Sequence, residues 1–175
     1  MTKQSTRAWR LAFLIFVVVA GSCSSPAPES PAAQSAAADQ ETVRAVVAGI
    51  ISADNERNVE SVMSFYEDDA VLLPPGESPV YGKRYIRPRY QSLFESSRLK
   101  MFSTSEETIV SGDWAFDQGY IQGNVVTQEK DAETTRVVDD QYLMILHKQS
   151  AGSWKIAKLM WHPRQKTDEA ANKSE

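Results

Sequence analysis

The chain is short of the residues that most chemistries need. It has one cysteine, Cys23, so no intramolecular disulfide can form. Its two histidines are His147 and His162. With Ala151-Gly152 as a two-residue turn, His147 pairs opposite Ile156 and His162 opposite Gln141. The two rings then lie on the order of 20 Å apart along the strands and cannot share a metal. No other ligand pair sits near either ring at zinc-site spacing. There is no Gly-x-Ser-x-Gly and no phosphate loop. No metal and no cofactor are therefore expected. Net positive charge is also missing: the formal charge is −4. Nucleic-acid binding needs a basic footprint, so that class is excluded as a partner.

One long apolar run is present, and it is short for a membrane span. Residues 11–20 are uninterrupted hydrophobics, against about 20 needed to cross a bilayer. Lys3, Arg7 and Arg10 precede this run without an acidic residue, and Gly21-Ser22 lead to Cys23. A basic start, an apolar stretch and small residues make a secretory signal over residues 1–22. Val19-Ala20-Gly21-Ser22-Cys23 resembles the lipobox of bacterial lipoproteins, with Ala20 where leucine is usual. The resemblance implies acylation of Cys23, anchorage in a lipid bilayer and a cell-envelope location. Ser24 in place of aspartate points to the periplasmic face of the outer membrane. Cleavage removes three basic residues and takes the charge from −4 to −7.

After Cys23, residues 24–40 are Ser, Pro, Ala, Gln and Glu with the single Asp39 and little to bury, so 23–40 read as the lipidated cysteine and a flexible linker. Residues 164–175 read as a polar tail. Between them, residues 41–163 suffice for one domain with one core.

Within the domain, helices come first. Val43, Val46, Val47, Ile50 and Ile51 recur at helical spacing over 41–54. Asn58 is placed to cap a second helix with Val59, Val62, Met63 and Tyr66 inward. Ala70–Leu73 reads as a strand stopped by Pro74-Pro75-Gly76. A third helix over Arg84–Ser97 buries Ile86, Tyr90, Leu93 and Phe94, with Pro88 forcing a late start or a kink. Strands follow over 99–110, 114–127, 135–149 and 153–162, turning at Ser111-Gly112-Asp113 and Ala151-Gly152. Helices followed by strands indicate an α+β fold with a curved antiparallel sheet.

These motifs carry a resemblance. Phe65-Tyr66-Glu67-Asp68-Asp69-Ala70-Val71 precedes Pro74-Pro75-Gly76 and Val80-Tyr81-Gly82-Lys83. Ser111-Gly112-Asp113-Trp114-Ala115, Gly119, Gly152-Ser153-Trp154-Lys155-Ile156 and Trp161 follow. In this order they resemble the SnoaL-like branch of the nuclear transport factor 2-like superfamily, across about residues 41–163. The resemblance implies a cone-shaped curved antiparallel sheet packed with three N-terminal helices, often pocketed and often dimeric. It does not imply an activity, because the same cone hosts enzymes and binders. Where steroid-isomerase relatives carry a catalytic acid, this chain has Leu73 and Pro74. Their tyrosine falls near Ile50, and their late-strand partner matches Asp140. That activity is not carried over.

The closing hairpin sets Tyr142 opposite Trp161, Met144 opposite Leu159 and Leu146 opposite Ala157. Leu143, Ile145, Ile156 and Met160 on the other face are also apolar, so a hairpin greasy on both sides needs cover, and a homodimer is one source. The expected pocket residues are Tyr120, Asp140, Tyr142, Met144 and Trp161. Asp117 alternates with small and apolar residues and has two readings: a solvent-facing carboxylate, or a base inside the cone. Lys83, Arg84, Arg87 and Arg89 form a basic cluster, either a solvated helix face or an anion site. The function expected is binding of a small hydrophobic molecule or an envelope protein. The alternative is a cofactor-free isomerase, dehydratase or hydrolase using Asp117.

Overall fold

The computed structural model describes residues 31–130 and 132–164. The expected signal, the acylated Cys23 and the tail beyond Arg164 lie outside the described residues. The described chain opens with helix α1, Pro31–Asn55, followed by α2, Val59–Phe65. Strands β1, Tyr66–Leu73, and β2, Val80–Tyr81, precede helix α3, Lys83–Ser96. Four long strands complete the domain: β3, Ser97–Ser111; β4, Trp114–Glu129; β5, Ala132–Lys148; and β6, Trp154–Pro163.

Local chemistry explains most boundaries. The Asn58 carboxamide oxygen accepts from the Ser61 backbone N–H at 3.0 Å, as a cap should. Tyr66 follows the helix and begins β1, so its ring is buried from a strand. α1 starts well before residue 41, which corrects the expectation of a flexible linker up to residue 40. The early turns are rich in alanine, the strongest helix former. They are also tied down: Lys148 donates to both Asp39 carboxylate oxygens at 2.8 and 2.9 Å, and Trp154 Nε1 donates to Asp39 at 3.3 Å. Gln40 Nε2 donates to the Thr108 carbonyl at 3.0 Å. α3 starts at Lys83 in spite of Pro88, so the expected late start does not occur. Buried Ile86 and Phe94 hold the helix on either side of the proline.

The six strands form one sheet in the order β2-β1-β6-β5-β4-β3. β3 to β6 are antiparallel neighbours, whereas β1 joins β6 in parallel, so the sheet is mixed where an antiparallel one was expected. The closing hairpin pairs Tyr142 with Trp161 and Met144 with Leu159 as its turn implies. A bulge after Ile145 then shifts the register. Leu146 meets Ile156 and His147 meets Lys155, correcting the expected partners Ala157 and Ile156.

Curvature is written into β4. A Cβ on Gly119 would sit 1.9 Å from the Thr104 carbonyl oxygen, and one on Gly123 would sit 2.1 Å from that of Lys100. Gly123 also adopts φ +144. Only glycine lets β3 approach this closely. The concave face buries Val125, Val138, Met144, Leu146, Ile156 and Leu159 against Val43, Val47 and Ile50 of α1. Each such side chain contributes about 1.5–3 kcal/mol by leaving water. On the convex face Trp114 stacks on His147 with ring centroids 4.3 Å apart, and Phe116, Ile109 and Met160 are exposed.

Candidate functional site

The cone holds a cavity of about 640 Å³. Ile50 and Ile51 of α1, Leu72 of β1 and Tyr90 and Leu93 of α3 form one wall. Leu99, Val125, Val138, Met144, Leu159 and Trp161 form the other from the sheet. Pro75, Glu77, Arg136 and Pro163 are exposed and mark the rim. Arg89 is also at the rim, where it donates to both Glu77 carboxylate oxygens at 2.7 and 3.1 Å. Besides Glu77 at the rim, two carboxyls reach the cavity, Asp54 and Asp140.

Asp54 sits in the last turn of α1 and is only 7% exposed. Its Oδ1 is buried and has no hydrogen-bond partner. Removal from water penalises the charged form, and the Asp54 carboxyl is pushed up to about 8. It is therefore largely protonated at neutral pH, with a donor and an acceptor available to whatever enters. Behind it, the Tyr66 and Tyr90 hydroxyls bond each other at 2.9 Å. Burial raises both phenols, and the nearby Asp54 charge raises them further. Asp140 is also raised by burial, an effect that the Arg136 charge opposes.

A second buried carboxylate, Asp117, has the opposite character. It is fully buried and fully partnered. Thr108 Oγ1 donates to Oδ2 at 2.6 Å, while the Tyr142 hydroxyl and Ser105 Oγ donate to Oδ1 at 2.6 and 2.9 Å. Arg44 Nε donates to Thr108 Oγ1 at 3.0 Å, binding α1 to this network. The network forms because an extra residue at the β3 bulge, between Ser105 and Glu107, turns both hydroxyls toward β4.

The structure thus divides the expected site residues. Met144, Trp161 and Asp140 line the cavity. Asp117 points inward yet does not line it, because its hydroxyl partners enclose it; this corrects its placement as the base in the pocket. Tyr142 is spent on Asp117 and Ser105 and does not line the cavity either. Tyr120 faces the convex side, where the Arg164 guanidinium lies 4.3 Å from its ring centroid. Asp139 holds Arg164 through bonds of 2.7 and 3.0 Å. Three of the four basic residues are matched by acids, Lys83 with Asp68 at 3.0 Å, Arg87 with Glu60 and Arg89 with Glu77, and Arg84 donates to the Tyr85 hydroxyl at 2.8 Å. Asp54 was missed. Its signal was nevertheless present, since Val43, Val47, Ile50 and Asp54 fall on one helical stripe, and a carboxylate there has to enter the core.

No protein-family model matches the sequence, and no curated protein matches it. Solved structures do match. A ketosteroid isomerase-like protein from Erwinia carotovora atroseptica is 26% identical with a TM-score of 0.65, over 73% of this chain and 97% of that one. A conserved protein from Planctomyces limnophilus is 20% identical with a TM-score of 0.64, over 73% and 99%. A nuclear transport factor 2-like protein of unknown function from Pseudomonas putida is 13% identical with a TM-score of 0.58, over 75% and 91%. Fold and cavity together define a cone of helices and curved sheet. The chain has the nuclear transport factor 2-like fold.

Proposed function

We propose that this protein is a cell-envelope lipoprotein of the SnoaL-like branch whose cone binds a small, mainly apolar molecule. The observation that carries the reading is the cavity itself: about 640 Å³, walled by aliphatic and aromatic side chains, with Asp54, whose buried Oδ1 has no partner, on its lining. Small-molecule sites have this make-up of apolar walls and few polar groups. Native mass spectrometry of the full chain, isolated from envelope extract, tests it. The wild type should carry a bound mass that Leu93→Trp, which fills the cavity, does not. Equal and empty spectra would defeat the reading.

Delivery to the envelope rests on the leader and on Cys23. Cys23→Ser should move the protein from the membrane to the soluble fraction on cell fractionation, and a variant that stays with the membrane would require another anchor. The exposed convex face, with Trp114, Phe116 and Met160, supports a homodimer. Light scattering that stays monomeric at high concentration would remove it.

A second reading, a cofactor-free enzyme of the isomerase, dehydratase or hydrolase type, is favoured by one observation. The Asp54 carboxyl, at about 8, is poised to give or take a proton near neutral pH. Asp54 then replaces Asp117 as the acid–base group. The similarity to a ketosteroid isomerase-like protein is consistent with this role.

A further inference from the structure

The cavity treats its two carboxyls differently. Asp140 has a cation near it, Arg136, whose charge acts on it from the same strand. The other cation on the lining, Arg89, is committed to Glu77 by two hydrogen bonds. Asp54 has neither cation nor hydroxyl donor. Its Oδ1 is buried without a partner. The two phenols that feel its charge, Tyr66 and Tyr90, have their hydroxyls bonded to each other at 2.9 Å.

That vacancy is not how this fold treats a carboxylate it keeps for structure. Asp117, equally buried, receives three hydroxyl donors. Leaving a buried acceptor unmet costs about 1–3 kcal/mol, so an unmet one on a side chain that lines a cavity marks a place for a ligand's donor. The rings of Tyr90 and Trp161 line the same cavity, and aromatic faces attract cations.

Resting on the small-molecule reading above, we propose that the ligand is an amphiphile with a basic nitrogen, its ammonium group held by Asp54 and its apolar body by the cavity walls. On binding, Asp54 gives up its proton to solvent and its carboxylate accepts N–H hydrogen bonds from the ammonium. No covalent bond is made. An ammonium–carboxylate contact is stronger than a neutral hydrogen bond. Binding consequently favours the ionised carboxyl and strengthens as pH rises toward about 8. The titratable and charged groups that couple to Asp54 or share its cavity are Tyr66 from β1, Arg89 and Tyr90 from α3, Arg136 and Asp140 from β5, and Glu77 from the β1–β2 loop.

Calorimetric titration of the full chain with three probes of one shape tests the proposal: 1-naphthylmethylamine, 1-naphthylmethanol and 1-naphthaldehyde. At neutral pH the amine should bind about tenfold more tightly than either neutral probe. Its affinity should climb from about pH 6 to about pH 8 while theirs does not. Asp54→Asn should abolish the amine's advantage and keep alcohol binding. The probe ranking and the pH slope need no variant, so they stand even if the substitution disturbs folding. A wild type that binds alcohol or aldehyde as well as the amine would overturn the amine assignment and leave the binding cavity intact. Failure of all three probes would overturn the cavity reading and this inference with it.

Discussion

Two aspartates lie within one small core, and their surroundings could hardly differ more. Asp117 sits among Thr108, Ser105 and Tyr142, with every lone pair it needs engaged. Asp54 sits among aliphatic side chains with one oxygen unmet. Burial costs both, but only Asp117 recovers that cost through hydrogen bonds. The lesson is that burial alone does not identify a functional carboxyl. What distinguishes the two is whether the protein supplies the donors or leaves them to something else.

The contrast can be pressed experimentally. Asp117→Ala should have the largest effect, a loss of about 3–5 kcal/mol in urea denaturation, since it orphans buried hydroxyls and opens a void. A small loss would make the network dispensable and weaken the comparison. Asp54→Asn should act in the opposite direction, adding on the order of 3 kcal/mol near pH 6. The sign follows from proton binding. The folded state holds the Asp54 proton up to about 8, whereas the unfolded chain releases it at about 4. Wild type and variant should match in stability below about pH 4, and the gap should open as pH rises through the interval. A gap independent of pH would mean that Asp54 is ionised at neutral pH.

Smaller changes refine the picture. Tyr142→Phe removes one of the three donors and should cost about 1–2 kcal/mol by thermal melting. Asp39→Ala should cost about 1 kcal/mol and speed amide exchange in the first turns of α1, because it releases Lys148 and Trp154. Unchanged exchange there would show that the alanine-rich turns hold without the anchor.

Much of the fold was readable from pattern. Helical spacing found the α1 stripe, Asn58 marked a cap, and Ala151-Gly152 set the hairpin register from Tyr142 through Ile145. The register then failed at a bulge, which is a one-residue insertion with no residue type of its own. The parallel pairing of β1 with β6 joins segments far apart in the sequence and leaves no local trace. The alanine-rich residues before 41 looked like linker because their hold on the domain is made by Asp39, across more than a hundred positions of sequence. At the site, Met144, Trp161 and Asp140 followed from strand alternation. Asp54 was visible as a charge on an apolar stripe. The partners of Asp117 were not, since the β3 bulge delivers Ser105 and Thr108 to it.

The length of α1 has a geometric outcome for the whole particle. Asp39, about two turns inside the start of α1, fastens the helix beside the β5–β6 turn, and Asp54 lines the cavity near its other end. At 1.5 Å per residue these points stand roughly 22 Å apart. A change at the β5–β6 turn and a guest in the cavity would thus load one and the same helix.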